Sequence, residues 1–216
     1  MQEQYTPPYP PTTGYPLTFD VQYPDRPLNR LTTGLRFLWI IPIAVIASLL
    51  GSGTIGWEGA DYTWQWAAGG VLFLPVLLMI LFRQKYPRWW FDWNLQLTRF
   101  LMRVVAYAQL LRDEYPSTDE EQAVHLHFSY PDATRLNRWL PLVKWFLAIP
   151  HWIILYFLYI AAFVCVVVAW FAILFTGRYP RALFEFVVGV NRWMLRVSAY
   201  ALLLVTDEYP PFSLSE

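Results

Sequence analysis

The chain has few charged residues for its size. Of its 216 residues, 15% are charged and 56% are hydrophobic, whereas soluble domains usually carry about 25% charged residues. So few charges cannot cover a water-soluble globule of this length, and the composition therefore predicts a membrane protein. Lysine plus arginine and aspartate plus glutamate number 16 each, so no excess of positive charge indicates nucleic acid as a partner.

Residues typical of enzyme and metal sites are also scarce. The single cysteine, Cys165, has no partner for an intrachain disulfide. No glycine-rich phosphate loop, serine elbow or pocket of paired catalytic carboxylates is recognisable. His125 and His127 alternate on one segment without further ligands, so we expect no metal site. His151 stands alone in an apolar run, where a hydrogen-bonded structural role is favoured over that of a lone axial ligand to a cofactor. We therefore expect no catalytic residue, no cofactor and no enzyme activity.

An internal repeat organises the chain after its first residues. The landmarks YPD and LNR occur in 17–30 and again in 124–138, and YPR, two arginines and a closing DEYP occur in both 80–116 and 173–210. Chance similarity between apolar segments would not place the same charged and proline landmarks in the same order. The predicted division is a disordered tail rich in proline and tyrosine, with no cleaved signal (1–16), repeat one (17–116), a linker (117–123) and repeat two (124–216).

Each repeat opens with a segment in which apolar and polar residues alternate. Residues 17–23 and 124–130 both follow this period of two, which predicts a half-buried strand. Because the segments occupy equivalent places, we expect the two strands to pair with each other and form a small sheet on the membrane surface.

A predicted transmembrane helical hairpin follows the strand. In repeat one, 31–50 and 64–82 each approach the roughly 20 residues that cross a bilayer, and a glycine-rich loop at 51–63 separates them. In repeat two, 139–175 has no such loop, although a single helix of this length would be about 55 Å long. A tight hairpin turning near 156–162 is the favoured interpretation.

The alternative for repeat two is a surface helix that bends at Pro150 and continues as one tilted span.

Each repeat ends in an amphipathic helix that begins after YPR and stops before DEYP. Arginines recur on one narrow polar stripe of each helix. Such a helix can lie in the membrane interface, or it can span if its arginines are paired. With hairpins in both repeats, all the basic residues lie on one side, which the positive-inside rule assigns to the cytoplasm together with both termini. The arginines predicted to contact lipid headgroups or a partner are Arg88, Arg99, Arg103, Arg181, Arg192 and Arg196.

The pattern GRYPR followed by RW, LRV, AYALLLV and TDEYPPFSL, carried by 177–214, resembles the bacterial membrane-protein family called domain of unknown function 4389. Repeat one departs from this pattern with Trp89, Trp90 and Gln96. The resemblance implies a bacterial membrane protein with no assigned activity, so it carries over no catalytic residue.

The fold class predicted from these patterns is a mainly α membrane protein of two tandem repeats, each a short strand, a transmembrane helical hairpin and an amphipathic interfacial helix. The expected function is that of a non-enzymatic accessory or scaffolding protein of the bacterial inner membrane, multi-pass, which binds anionic lipid or a larger membrane complex. A small oligomeric transporter or channel is the alternative, since duplicated modules commonly build pathways at their interface.

Overall fold

The computed structural model of the chain describes residues 15–55, 64–67, 70–118, 120 and 122–215. The predicted disordered tail lies outside these residues except for Tyr15 and Pro16, and so does most of the loop predicted at 51–63. In chain order the elements are β1 (Leu17–Val21), α1 (Arg30–Gly34), α2 (Arg36–Gly51), β2 (Ser52–Ile55), β3 (Trp64–Ala67), α3 (Gly70–Arg83), α4 (Arg88–Ala108), β4 (Val124–Phe128), α5 (Leu140–Thr176) and α6 (Arg181–Ala201).

The two predicted strands pair with each other. β1 and β4 are antiparallel, with Phe19 opposite Leu126 at the centre of the ladder. The apolar side chains of both strands are buried, whereas Asp20 and Gln22 on the other face are exposed. The predicted pairing is thus confirmed. Apolar and polar residues alternate along these strands because one face of the sheet is buried and the other is exposed to solvent.

The segment predicted as repeat two contains no hairpin between 140 and 176. This segment forms one helix of 37 residues, α5, which continues through Pro150. The favoured prediction of a turn near 156–162 is therefore wrong. The physical reason is local: the segment YFLYIAA has no glycine, proline or polar turn residue to stop a helix.

The helices of repeat one are shorter than predicted. α2 has 16 residues and α3 has 14, both below the roughly 20 that cross a bilayer. Residues 64–67, predicted to start the second span, instead form β3, which pairs antiparallel with β2. Among the residues that the structure describes, α5 is the one helix long and apolar enough to span a membrane.

One stripe of α5 is buried and the rest of its circumference is not. Apolar side chains point outward on the other faces, with Phe146, Phe163 and Phe175 exposed at 70%, 69% and 78%. The stripe repeats every three to four residues, as expected for a helix that packs along a neighbour. It consists of Pro141, Lys144, Ala148, His151, Leu155, Ala162, Ala169 and Ile173.

The amphipathic helices α4 and α6, both predicted, form the middle of a layered structure. α6 contacts α5 on one side and β1 on another, and α4 contacts α2 and β4 in the same way. α6 runs antiparallel to α5, because Lys144 near the start of α5 lies 4.9 Å from the ring of Tyr200 near the end of α6, and the short segment 177–180 joins the other ends of the two helices. The apolar helices, the amphipathic helices and the two-stranded sheet thus follow one another as three layers.

Candidate functional site

Two surface clefts lie where a YPD turn meets a YPR turn from the other half of the chain. The first, which we name the Arg178 cleft, has a volume of about 320 Å³ and is lined by residues 23–26, Leu28, 178, 179 and 181. The second, the Lys85 cleft, has a volume of about 530 Å³ and is lined by Met79, 84–87 and 130–133. The YPD turns follow β1 and β4, and the YPR turns precede α6 and α4, so each cleft joins a strand end to a helix start.

The same two contacts hold each cleft together. The Tyr23 hydroxyl donates a hydrogen bond to the carbonyl oxygen of Tyr179 at 2.5 Å, and the Tyr130 hydroxyl donates to that of Tyr86 at 2.6 Å. A cation also lies over each of these tyrosine rings. Arg181 is 5.3 Å from the centre of the Tyr23 ring, and Arg88 is 5.5 Å from that of Tyr130. These contacts fix the position of two predicted headgroup arginines at the cleft mouths.

The two clefts differ in charge. Arg26, Arg178 and Arg181 line the first together with one carboxylate, that of Asp25. The Lys85 cleft is lined by one cation, Lys85, and one carboxylate, that of Asp132. Hydrogen bonds from the side chain and backbone of Thr134 hold the pKa of Asp132 below its usual value, so this carboxylate stays charged at neutral pH.

Two of the predicted headgroup arginines bind the sheet instead. Arg99 Nε donates to the carbonyl oxygen of Leu126 at 2.9 Å, and Arg192 Nε donates to that of Phe19 at 2.8 Å. Each helix therefore reaches the strand of the opposite half. Because both guanidinium groups are partly buried among backbone acceptors, their first role is to join helix and sheet.

Two more predicted arginines hold the segments that follow the helices. Arg103 donates to the Ser117 carbonyl oxygen at 2.7 Å. Arg196, which is buried, donates to the carbonyl oxygens of Ser213 and Ser215 at 3.3 and 2.8 Å. Of the six predicted arginines, Arg88 and Arg181 are thus the exposed ones.

Sequence reasoning missed two buried ion pairs. Arg36 pairs with Asp113 and donates to the Tyr107 carbonyl oxygen at 3.0 Å. Lys144 Nζ lies 2.7 Å from Asp207 Oδ1 and 2.6 Å from the Thr206 carbonyl oxygen. Both aspartates thus anchor the start of a hydrophobic helix.

The two pairs also contact the chain that precedes each helix. The carboxylate of Asp113 accepts a hydrogen bond from the Asn29 backbone N–H at 2.8 Å, and that of Asp207 accepts one from Asn137 at 2.7 Å. A sequence signal for this existed. In both halves of the chain the cation stands six residues after the arginine of LNR, and the aspartate opens DEYP.

His151 is a structural histidine. It is fully buried, its ring stacks on Phe212 with centroids 4.0 Å apart, and its Nδ1 accepts a hydrogen bond from Trp193 Nε1 at 3.0 Å. Indole nitrogen is only a donor, so Nδ1 carries the lone pair and the proton of the neutral ring is on Nε2. Within the described residues, no three His, Cys, Asp or Glu side chains form a group that could hold a metal ion.

Comparison with known families bears on the second half of the chain. Residues 139–213 match the model of the family described as "Domain of unknown function (DUF4389)". This match covers α5, α6 and the closing DEYP, and it supports the resemblance found in the sequence. It covers one segment, so it supports one copy of the domain. No curated protein and no solved structure matches the chain.

Proposed function

We propose that this chain is a non-enzymatic accessory protein embedded in the bacterial cytoplasmic membrane, where its cytoplasmic face binds anionic lipid headgroups. The observation that carries the proposal is the surface of α5, which exposes large apolar side chains on every face outside its packed stripe. Exposing such a surface to water is unfavourable, and contiguous apolar patches of this extent mark membrane or protein contacts. α2 adds exposed Leu38, Trp39 and Ile41.

The arginines at both ends of α5 favour an arrangement in which the helix lies within one leaflet, along the membrane plane. Exposed Arg135 and Arg138 precede α5, and exposed Arg178 and Arg181 follow it. A perpendicular helix would place these pairs on opposite sides of the membrane, against the positive-inside rule. With α5 in the plane, both ends and both termini belong to the cytoplasmic side.

The sheet supports the same orientation. Arg192, near the middle of α6, lies 3.5 Å from the exposed carboxylate of Asp20 on β1. Since α6 runs alongside α5, a perpendicular α5 would carry this carboxylate toward the bilayer centre, where a charge costs roughly 2.5–3.5 kcal/mol or more. An in-plane α5 leaves the polar face of the sheet in water.

We also infer that the chain contains two copies of one module. The matched contacts of the two halves support this: Arg99 and Arg192 each bind the opposite strand, and Tyr23 and Tyr130 each bind the opposite YPR turn. In this arrangement both copies would present a cleft to the same leaflet, and the Arg178 cleft is the more basic of the two. Arg88 and Arg181 are then the candidate headgroup contacts among the six predicted arginines.

Single cysteines at the two ends of α5 test the membrane arrangement. Arg135→Cys and Thr176→Cys, each made in a Cys165→Ala background, would be treated with an impermeant maleimide on intact spheroplasts and on inverted vesicles. We expect both to be protected in spheroplasts and labelled in inverted vesicles. Labelling of one end in each preparation would show a crossing helix and refute the in-plane arrangement. Release of the unmodified chain from membranes by an alkaline carbonate wash would refute membrane embedding altogether.

A further inference from the structure

We propose that the Arg178 cleft binds a phosphomonoester headgroup of a membrane lipid, of the phosphatidic acid type, and that the Lys85 cleft does not. This inference rests on the proposed function and names the ligand class and the place where it binds. Three observations support it: the arrangement of cations around the Arg178 cleft, the level of that cleft in the membrane, and the contrast with the Lys85 cleft.

Two of the three guanidinium groups that line the Arg178 cleft form no ion pair within the described residues, although the charge of Arg26 acts on the Glu114 carboxylate. Arg26 and Arg178 are exposed and form no ion pair with any other residue in the described part of the chain. Arg181 has a single carboxylate partner, Glu185, at 3.5 Å, and both side chains of that pair are more than two-thirds exposed. Such an exposed pair contributes little and yields readily to a better anion.

A fourth cation stands beside the cleft. Gly177 ends α5 with φ of +74°, and a Cβ placed there would lie 3.7 and 3.8 Å from Nε and Nη2 of Arg30. The left-handed backbone of Gly177 thus turns the chain sharply, so that Arg178 follows the helix end next to Arg30. Three guanidinium groups therefore line a space with one carboxylate, that of Asp25, and a fourth, that of Arg30, lies against the glycine that precedes Arg178.

Guanidinium groups in this number suit a phosphate that has two charges. The planar fork of arginine donates two parallel hydrogen bonds to a pair of phosphate oxygens. A phosphomonoester offers three terminal oxygens and a charge of about −1.5 to −2 at neutral pH. A diester headgroup has a single charge and fewer free oxygens, so it can satisfy fewer of these donors.

The depth of the cleft favours a lipid as the source of that phosphate. Arg178 is two residues beyond the end of α5, and Phe171 and Phe175 in the last turns of α5 are exposed at 50% and 78%. If those rings lie in hydrocarbon, Arg178 lies at the level of the headgroups, since two residues extend only about 7 Å. The tyrosine at the cleft, Tyr23, is of the type enriched at this depth.

The Lys85 cleft provides a matched control within the same molecule. It has the same YPD and YPR framework, but its lining has one cation, Lys85, and one carboxylate, that of Asp132. The arginines around it have other contacts: Arg135 lies 3.3 Å from Asp132, Arg138 donates to the side-chain oxygen of Gln84 at 2.6 Å, and Arg88 lies over the Tyr130 ring. Removing Lys85 and Arg135 deletes two exposed charges without touching the Arg178 cleft.

The test uses the full chain in a mild detergent, with native mass spectrometry to measure the binding of short-chain phosphatidic acid. Short-chain phosphatidylcholine and inorganic phosphate are measured in parallel. The variants are Arg26→Gln/Arg178→Gln and the control Lys85→Gln/Arg135→Gln, and thermal unfolding confirms that each remains folded. Both pairs are exposed, so neither change should alter folding.

We expect phosphatidic acid to bind more tightly than phosphatidylcholine or inorganic phosphate. We expect Arg26→Gln/Arg178→Gln to weaken its binding by at least about tenfold, since each charged hydrogen bond is worth roughly that factor, and the control to change it by less than about threefold. Equal weakening in both variants would show general charge attraction and overturn the inference. Equally tight binding of inorganic phosphate would overturn the lipid assignment.

The outcomes separate this inference from the function on which it rests. If no phosphatidic acid binds although the chain resists the carbonate wash, the cleft assignment fails and membrane embedding stands. If the chain is washed off the membrane, the proposed function itself fails.

Discussion

The buried pair of Lys144 and Asp207 gives the sharpest stability prediction. Lys144 is 1% exposed, and its ammonium group has three stabilising contacts: Asp207, the Thr206 carbonyl oxygen and the face of the Tyr200 ring, 4.9 Å away. Asp207→Ala removes the counter-charge and also leaves the Asn137 backbone N–H without its acceptor. Breaking a buried pair from one side typically costs about 3–5 kcal/mol.

The lower end of that range applies, because the Asp207 side chain is 25% exposed and water can replace part of what it provides. We therefore expect Asp207→Ala to cost about 3 kcal/mol, which for a chain of this size lowers the melting temperature by about 6–12 °C. Intrinsic tryptophan fluorescence of the detergent-solubilised protein, heated at one fixed rate, measures the shift. The exposed pair of Arg181 and Glu185 is the control, and Glu185→Ala should cost less than about 1 kcal/mol.

A double variant tests the physical reason. Lys144→Met/Asp207→Asn removes both charges and keeps an oxygen acceptor for the Asn137 N–H. Replacing a whole buried pair by neutral groups is often close to neutral, so the double variant should be more stable than Asp207→Ala. If the double variant is as unstable as Asp207→Ala or worse, the cost does not come from an uncompensated buried ammonium and the reasoning is refuted.

Two further predictions concern the packing of α6 and the pH dependence of the sheet. Gly189→Ala places a Cβ 2.9 Å from Leu214 Cβ and 3.0 Å from the Leu214 carbonyl oxygen, so it should destabilise the fold by about 1–3 kcal/mol despite the better helix propensity of alanine. Gln96→Ala, at the exposed counterpart in α4, is the control and should leave the melting temperature unchanged. Equal melting temperatures for the two variants would contradict the prediction. Burial, with a smaller effect from Arg99, holds the pKa of His127 below its ordinary value, so the unfolded chain takes up the proton first and stability should fall as the pH drops below about 6.5. Melting temperatures measured between about pH 8 and pH 5 should show a smaller decline for His127→Gln, and an unchanged slope would count against this assignment.

Periodicity in the sequence was sufficient to predict the strands and the amphipathic helices. The alternation in 17–23 and 124–130 and the helical arginine stripes each reflect one buried face, and a pattern of that kind survives in any tertiary context. β1, β4, α4 and α6 all lie where these patterns predicted them.

Periodicity could not predict the course of α5. A run that is apolar on every face shows no alternation between apolar and polar residues, so the pattern does not distinguish a hairpin from one long helix. The length argument assumed that the segment crosses the bilayer, and a helix lying in the membrane plane is not bound by the bilayer thickness. The same lack of contrast hid Lys144, which a linear pattern presents as a lone charge at a helix start.

The arginine contacts that join α4 to β4 and α6 to β1 limit how much of the fold can form before the whole chain has been synthesised. Arg99 can form its hydrogen bond only after Leu126 has been synthesised. The carbonyl oxygen of Phe19 accepts from Arg192, which is synthesised 173 residues later. A nascent chain that ends before β4 therefore has an unpaired strand and an unsatisfied guanidinium group. Under the proposed duplication, a chain with only one module would meet the same needs by exchanging strands with a second molecule of its own kind.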